Sequence, residues 1–152
     1  MPRSLFLSLG RFLHIAHTAR PFIVFQAQGK VTDAYNTCSF VLHQLGENIP
    51  DSVTPEAAQT MIEDTLKMYE EVYDDDWLQR KMEDETLRIV VKFYSAITFL
   101  AYMCRSQHTA VFFICKAVQL SLRNGACVYT PLSLLQLMGF AIQDKDKNAS
   151  NV

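Results

Sequence analysis

Glycine and proline are scarce, five of each in 152 residues. That is too few for a β protein built from many tight turns, and no stretch joins period-2 alternation to turn chemistry. Cysteine is sparse as well: Cys38, Cys104, Cys115 and Cys127. None forms a CxxC pair, which removes the common zinc and dithiol spacings. Three of the four sit in apolar helical stretches, as buried free thiols of a reducing compartment do, so a cytoplasmic location is expected. Cys104 and His108 stand four apart, yet no third ligand has a motif spacing. The longest apolar run, Ile89 to Cys104, is shorter than a bilayer span and contains Lys92, so no transmembrane helix is expected.

Catalytic and nucleotide signatures are missing too. Gly29-Lys30 runs on into Val31, and Val24 stands where a phosphate loop needs its first glycine. The histidines have no GxSxG serine beside them. The acids Glu70, Glu71, Asp74, Asp75, Asp76, Glu83, Asp84 and Glu85 lack the glycine and alternating ligand order of a calcium loop and read as a solvated turn. No catalytic residue, metal or cofactor is expected.

What is present is helix. Hydrophobic residues make up 49% of the chain, enough for one domain with a sizeable core. Net charge is −2 but uneven: +3 over Met1 to Gly46, −9 over Asp51 to Glu85, and five basic with no acidic residue over Leu87 to Gln143. A nucleic-acid footprint would be one basic face, so this alternation fits steering between neighbouring helices instead.

The chain centres on two apolar helices, about Asp84 to Cys104 and Thr109 to Asn124. Both carry apolar residues around most of their circumference and must be covered on more than one side. Ahead of them, the spacing predicts a first helix over about Ser4 to Thr18, with Leu5, Leu9, Phe12, Ile15 and Ala16 on one face. A shorter piece from Pro21 ends at Gly29. Thr32 then caps a helix to Leu45, closed by Gly46 in a left-handed cap. Thr54-Pro55-Glu56 starts the next helix, with Asp74 to Asp76 as its stop. Trp77, Leu78 and Met82 anchor the linker. Asn124-Gly125 ends the second central helix, and Thr130-Pro131 opens a last one to about Gln143. The division expected is one helical-repeat domain, 1–143, and a flexible tail, 144–152.

Helix pairs joined by glycine turns suggest a repeat. Gly29-Lys30-Val31-Thr32-Asp33-Ala34-Tyr35 resembles the inter-helix turn of a tetratricopeptide repeat, with small Ala34 at the helix crossing. "VLHQLGENIP", "WLQRKMEDETLRIVVKFYSAITFLAYM" and "FFICKAVQLSLRNGACVYTPLSLLQLMGFAI" resemble the helical region that follows the AAA/STAND-type ATPase module in large multidomain signalling kinases, over about Gly29 to Ile142. The resemblance implies an all-α fold of stacked antiparallel helix pairs, a tetratricopeptide-like α-solenoid, with Gly29, Ala34, Gly46 and Gly139 as repeat-packing positions. It implies a non-catalytic regulatory module that binds a protein partner or neighbouring domain. The polar tail ends the chain mid-repeat, so it looks like a detached fragment of such a protein.

The last helix bears two apolar stripes, Leu132, Leu135, Gly139 and Ile142, and Leu134, Leu137, Met138 and Ala141. One packs back on the preceding helix. Leu134, Leu137 and Met138 form the expected interaction surface, through which the chain self-associates or meets a partner. The competing reading is an organelle-targeted or membrane-surface protein, led by the acid-free N-terminal segment with Arg3, Arg11 and Arg20.

Overall fold

The computed structural model describes residues 28–72, 74 and 76–150. The described chain is all-helical: α1 (Gln28–Gln44), α2 (Pro55–Val72), a 3-10 turn (Trp77–Gln79), α3 (Glu85–Cys104), α4 (Gln107–Asn124) and α5 (Thr130–Ser150). The helices expected over Ser4 to Thr18 and from Pro21 lie outside the described residues.

Cap chemistry explains most boundaries. The Thr54 hydroxyl accepts from Ala57 N–H at 3.2 Å, and Pro55 opens α2 where its missing N–H has no partner to lose. The Asp84 carboxylate accepts from Leu87 N–H at 3.1 Å and opens α3. Ser106 does the same for α4 through Thr109 N–H at 3.0 Å, so this helix starts two residues before the expected Thr109. α1 ends as expected: Gly46 takes φ +87, Glu47 N–H reaches Leu42 O, and Gly46 N–H reaches His43 O. That pair of bonds satisfies the last carbonyls of the helix.

The start of α1 differs from expectation. Gly29 and Thr32 both lie inside the helix. Gly29 has no left-handed φ, and a Cβ there would meet nothing within 4 Å among the described residues, so it lies within α1 and makes no close crossing with any of them. Glycine permits a break without forcing one, and Thr32 at a helical position cannot cap. Ala34 is half-buried against the core.

α3 and α4 form the central antiparallel hairpin and the largest interface. α1 packs on α3, and α2 packs on α4, so these sequence neighbours flank the hairpin and make no hairpin of their own. α1 runs antiparallel to α3. Tyr35 meets Arg105 at the end of α3, whereas Glu47, just past α1, accepts from Tyr94 Oη near its middle. At the junction of α1, α3 and α4, the Phe113 ring lies 6.0 Å from Tyr94 and 6.2 Å from Tyr35. Edge and offset contacts of this kind add to the gain from burial. Val90, Val91, Ile97, Ile114 and Val118 complete the buried centre.

The linker after α2 is pinned by Trp77 and Met82, both buried, while Leu78 is exposed. Lys81 and Ala126 form a parallel bridge, with Met82 N–H to Ala126 O at 2.9 Å and Ala126 N–H to Arg80 O at 2.7 Å. Gly125 makes this approach possible. It has φ +98, and a Cβ there would stand 2.7 Å from Arg80 O.

One helix among the described residues, Glu85–Cys104, is long and apolar enough to cross a membrane, and half of it is buried inside the protein. Flanked by α1 and α4, it is the core helix of this fold.

Candidate interaction surface

α5 is oriented by hydroxyl groups. Thr130, Ser133 and Leu137 are fully or almost fully buried and share one face. Ser133 Oγ sits 2.9 Å from Ser95 Oγ of α3, and Thr130 Oγ1 sits 2.9 Å from Ser121 Oγ of α4. Thr130 does not cap its helix as Thr54 does. Its hydroxyl accepts from Cys127 N–H at 2.9 Å in the preceding turn, and the first α5 bond runs from Ser133 N–H to Tyr129 O. Small paired hydroxyls let α5 lie close to its neighbours with those hydroxyls satisfied, although Gln136 Oε1 of the same helix is buried without a hydrogen-bond partner among the described residues. Tyr102 of α3 meets Phe140 at 6.5 Å between ring centroids, and Gln107 Nε2 reaches Gln143 Oε1 at 3.3 Å. The Ser95–Ser133 and Tyr102–Phe140 contacts share one offset of 38 residues, so α5 runs parallel to α3.

This register corrects the expected interaction surface. Leu137 is only 2% exposed, and Leu134 packs against the core. Of the three expected residues only Met138 faces out, at 59%. Beside it are Leu135, 67% exposed, and Ile142, 59% exposed. These three recur at i, i+3 and i+7 and form an outward apolar strip. The difference centres on Ser133. Read as a polar residue it points to water, but with its partner Ser95 it faces inward, on the same face as Leu137, and Leu135, Met138 and Ile142 are left outward. Gly139, expected as a repeat-packing position, is exposed, and among the described residues a Cβ there would meet nothing within 4 Å. α5 also runs past Gln143 to Ser150, so the expected flexible tail is helical that far. No glycine or proline follows Gly139 to stop it.

Among the described residues no group of three His, Cys, Asp or Glu side chains could hold a metal ion. Burial pushes the Cys38 and Cys115 thiols up to about 12, away from the nucleophilic thiolate. Tyr94 is raised as well, by burial first and then by the Glu47 carboxylate it bonds. Gln119 of α4 donates to Thr65 Oγ1 of α2 at 2.8 Å and fastens that helix to the hairpin. Sequence reasoning missed the Ser95–Ser133 pair and the close approach at Gly125. The second had a signal, a glycine after Asn124 with a pinned linker nearby, whereas two serines 38 residues apart carry none.

Comparison with protein-family models, with curated proteins and with solved structures finds no match to this chain.

Proposed function

We propose that the chain is a non-catalytic helical interaction module whose outer α5 face docks an apolar helix, supplied by a protein partner or by a second copy. The observation that carries this is the strip of Leu135, Met138 and Ile142, each more than half exposed on successive turns. Single exposed apolar residues are ordinary, but a run of them along one helix face marks a contact site. The parallel relation of α3 and α5 across antiparallel α4 supports a helical-repeat reading, in which the next unit of a stack would cover this face. α2, packed on the far side of α4, departs from a simple tetratricopeptide-like solenoid. In the setting implied by the resemblance, a cytoplasmic ATPase–kinase protein, the module would transmit partner binding to a neighbouring domain; that assignment is by analogy.

Sedimentation velocity tests the surface. The full chain should self-associate at high micromolar concentration, and Leu135→Glu with Ile142→Glu should abolish this while leaving the helical circular dichroism intact. Association that survives both glutamates, or no association in either protein, removes the strip as a docking surface.

A further inference from the structure

We infer that the occupant of the α5 strip is the α5 of a second copy of this chain, lying antiparallel to the first, with Leu135 of each copy seated against Gly139 of the other. This rests on the reading of the strip as a docking surface and names what docks there.

Gly46 and Gly125 are needed for their positive φ. Gly139 is different. It sits in the middle of α5 without a positive φ, and among the described residues nothing lies within 4 Å of the Cβ it lacks. A glycine weakens a helix interior. Here it opens a notch in the outward face of α5, and no other described residue enters that notch.

The spacing around the notch is symmetric. Leu132, Leu135, Gly139 and Ile142 stand three, four and three residues apart, the alternation of a coiled-coil seam. At about 100° per residue they fall on the side of α5 opposite buried Leu137. Leu135 and Ile142 are more than half exposed, Gly139 is exposed and Leu132 is half-buried. The order reads the same from either end of the helix. An antiparallel copy therefore meets it in register, with Leu132 opposite Ile142 of the second copy and Leu135 opposite Gly139 of the second copy. Two-fold symmetry repeats both pairs, so each notch receives a leucine. A parallel pair would set Gly139 against Gly139 and leave a void at the centre, forfeiting packing contacts.

The face is also free of charge. No charged residue stands between Thr130 and Gln143, so two copies bring no like charges together, and an ionic partner finds nothing to select. Four seam residues a side fall well short of the roughly 20–30 of a standard interface, so the dimer is a weak one.

Sedimentation equilibrium of the full chain and two variants tests the pairing, with circular dichroism to check that each stays helical. Gly139→Leu fills the notch and should raise the dimer dissociation constant about tenfold or more, as overpacking at a contact does. Leu135→Ala with Gly139→Leu exchanges knob and notch, and should return the constant to within about threefold of the parent chain. Unchanged or tighter association of Gly139→Leu, or no rescue by the double variant, overturns the antiparallel pairing. The docking surface still stands in that case if Leu135→Glu with Ile142→Glu abolishes association. A parent chain that stays monomeric at high micromolar concentration overturns the pairing and the docking surface together.

Discussion

Gly125 shows how one residue joins two segments that are distant in sequence. Its φ of +98 is a conformation in which any other side chain is strained, and its missing Cβ leaves room for the carbonyls of Arg80 and Lys81. Gly46 has a similar φ, +87, but nothing within 4 Å of its would-be Cβ. The two glycines thus separate conformational strain from steric exclusion. Gly46→Ala should cost about 1 kcal/mol, the strain alone, and Gly125→Ala about 2–4 kcal/mol, because the bridge must also move. Urea midpoints of the two variants decide this, and equal losses would show that the linker gives way freely.

At the scale of the element, α5 decides the functional reading, and its orientation is testable by truncation. Leu137→Ala should destabilise by roughly 2–4 kcal/mol through lost burial and a cavity. Leu135→Ala, on the opposite face, should stay within about 0.5 kcal/mol of the parent chain. Comparable losses at both sites would mean the helix is rotated from the register described. The contrast also marks where the sequence was legible. Helix starts at Thr54 and Asp84 and the stops at Gly46 and Gly125 were readable because capping is local chemistry, decided within a few residues. The α3–α4 core was readable because apolar periodicity there is unambiguous. The inward face of α5 was not, because four serine and threonine hydroxyls from three helices satisfy one another only after the helices meet. Periodicity counts Ser133 as solvent-facing, and the pairing with Ser95 reverses it. α1 misled for the opposite reason. Gly29 and Thr32 are a plausible break and cap, and tertiary packing of Val31 and Tyr35 outweighs them.

Among the described residues the buried thiols and tyrosines are shifted in one direction. Cys38 and Cys115 lie near 12 instead of the ordinary 9 because burial disfavours the thiolate, and Tyr35 and Tyr94 are raised from 10 chiefly for the same reason. The folded state therefore holds protons that the unfolded chain has already lost. Well below pH 9 both states keep their thiols protonated and this contribution is constant. Between 9 and 12 the unfolded chain binds fewer protons, so stability falls as pH rises, by up to about 1.4 kcal/mol per pH unit for each such thiol. Urea titrations at pH 8, 9.5 and 10.5 should show this decline, and Cys38→Ala with Cys115→Ala should flatten part of it. A midpoint unmoved up to pH 10.5 would contradict the burial of these thiols.

The Lys81–Ala126 bridge has a kinetic meaning as well. The α3–α4 hairpin is built from contacts close in sequence and is the natural place for folding to begin. The bridge fastens the open end of that hairpin only after the chain between its two sides is in place, so it belongs to the late part of the route. Interactions absent from the transition state govern escape from the native state and leave the approach to it alone. Weakening the bridge at Gly125 should steepen the loss of lifetime, with faster unfolding and a nearly unchanged folding rate. The clasp then sets how long each molecule keeps α5 in its proper register, and with it how long the strip of Leu135, Met138 and Ile142 persists as a recognisable surface.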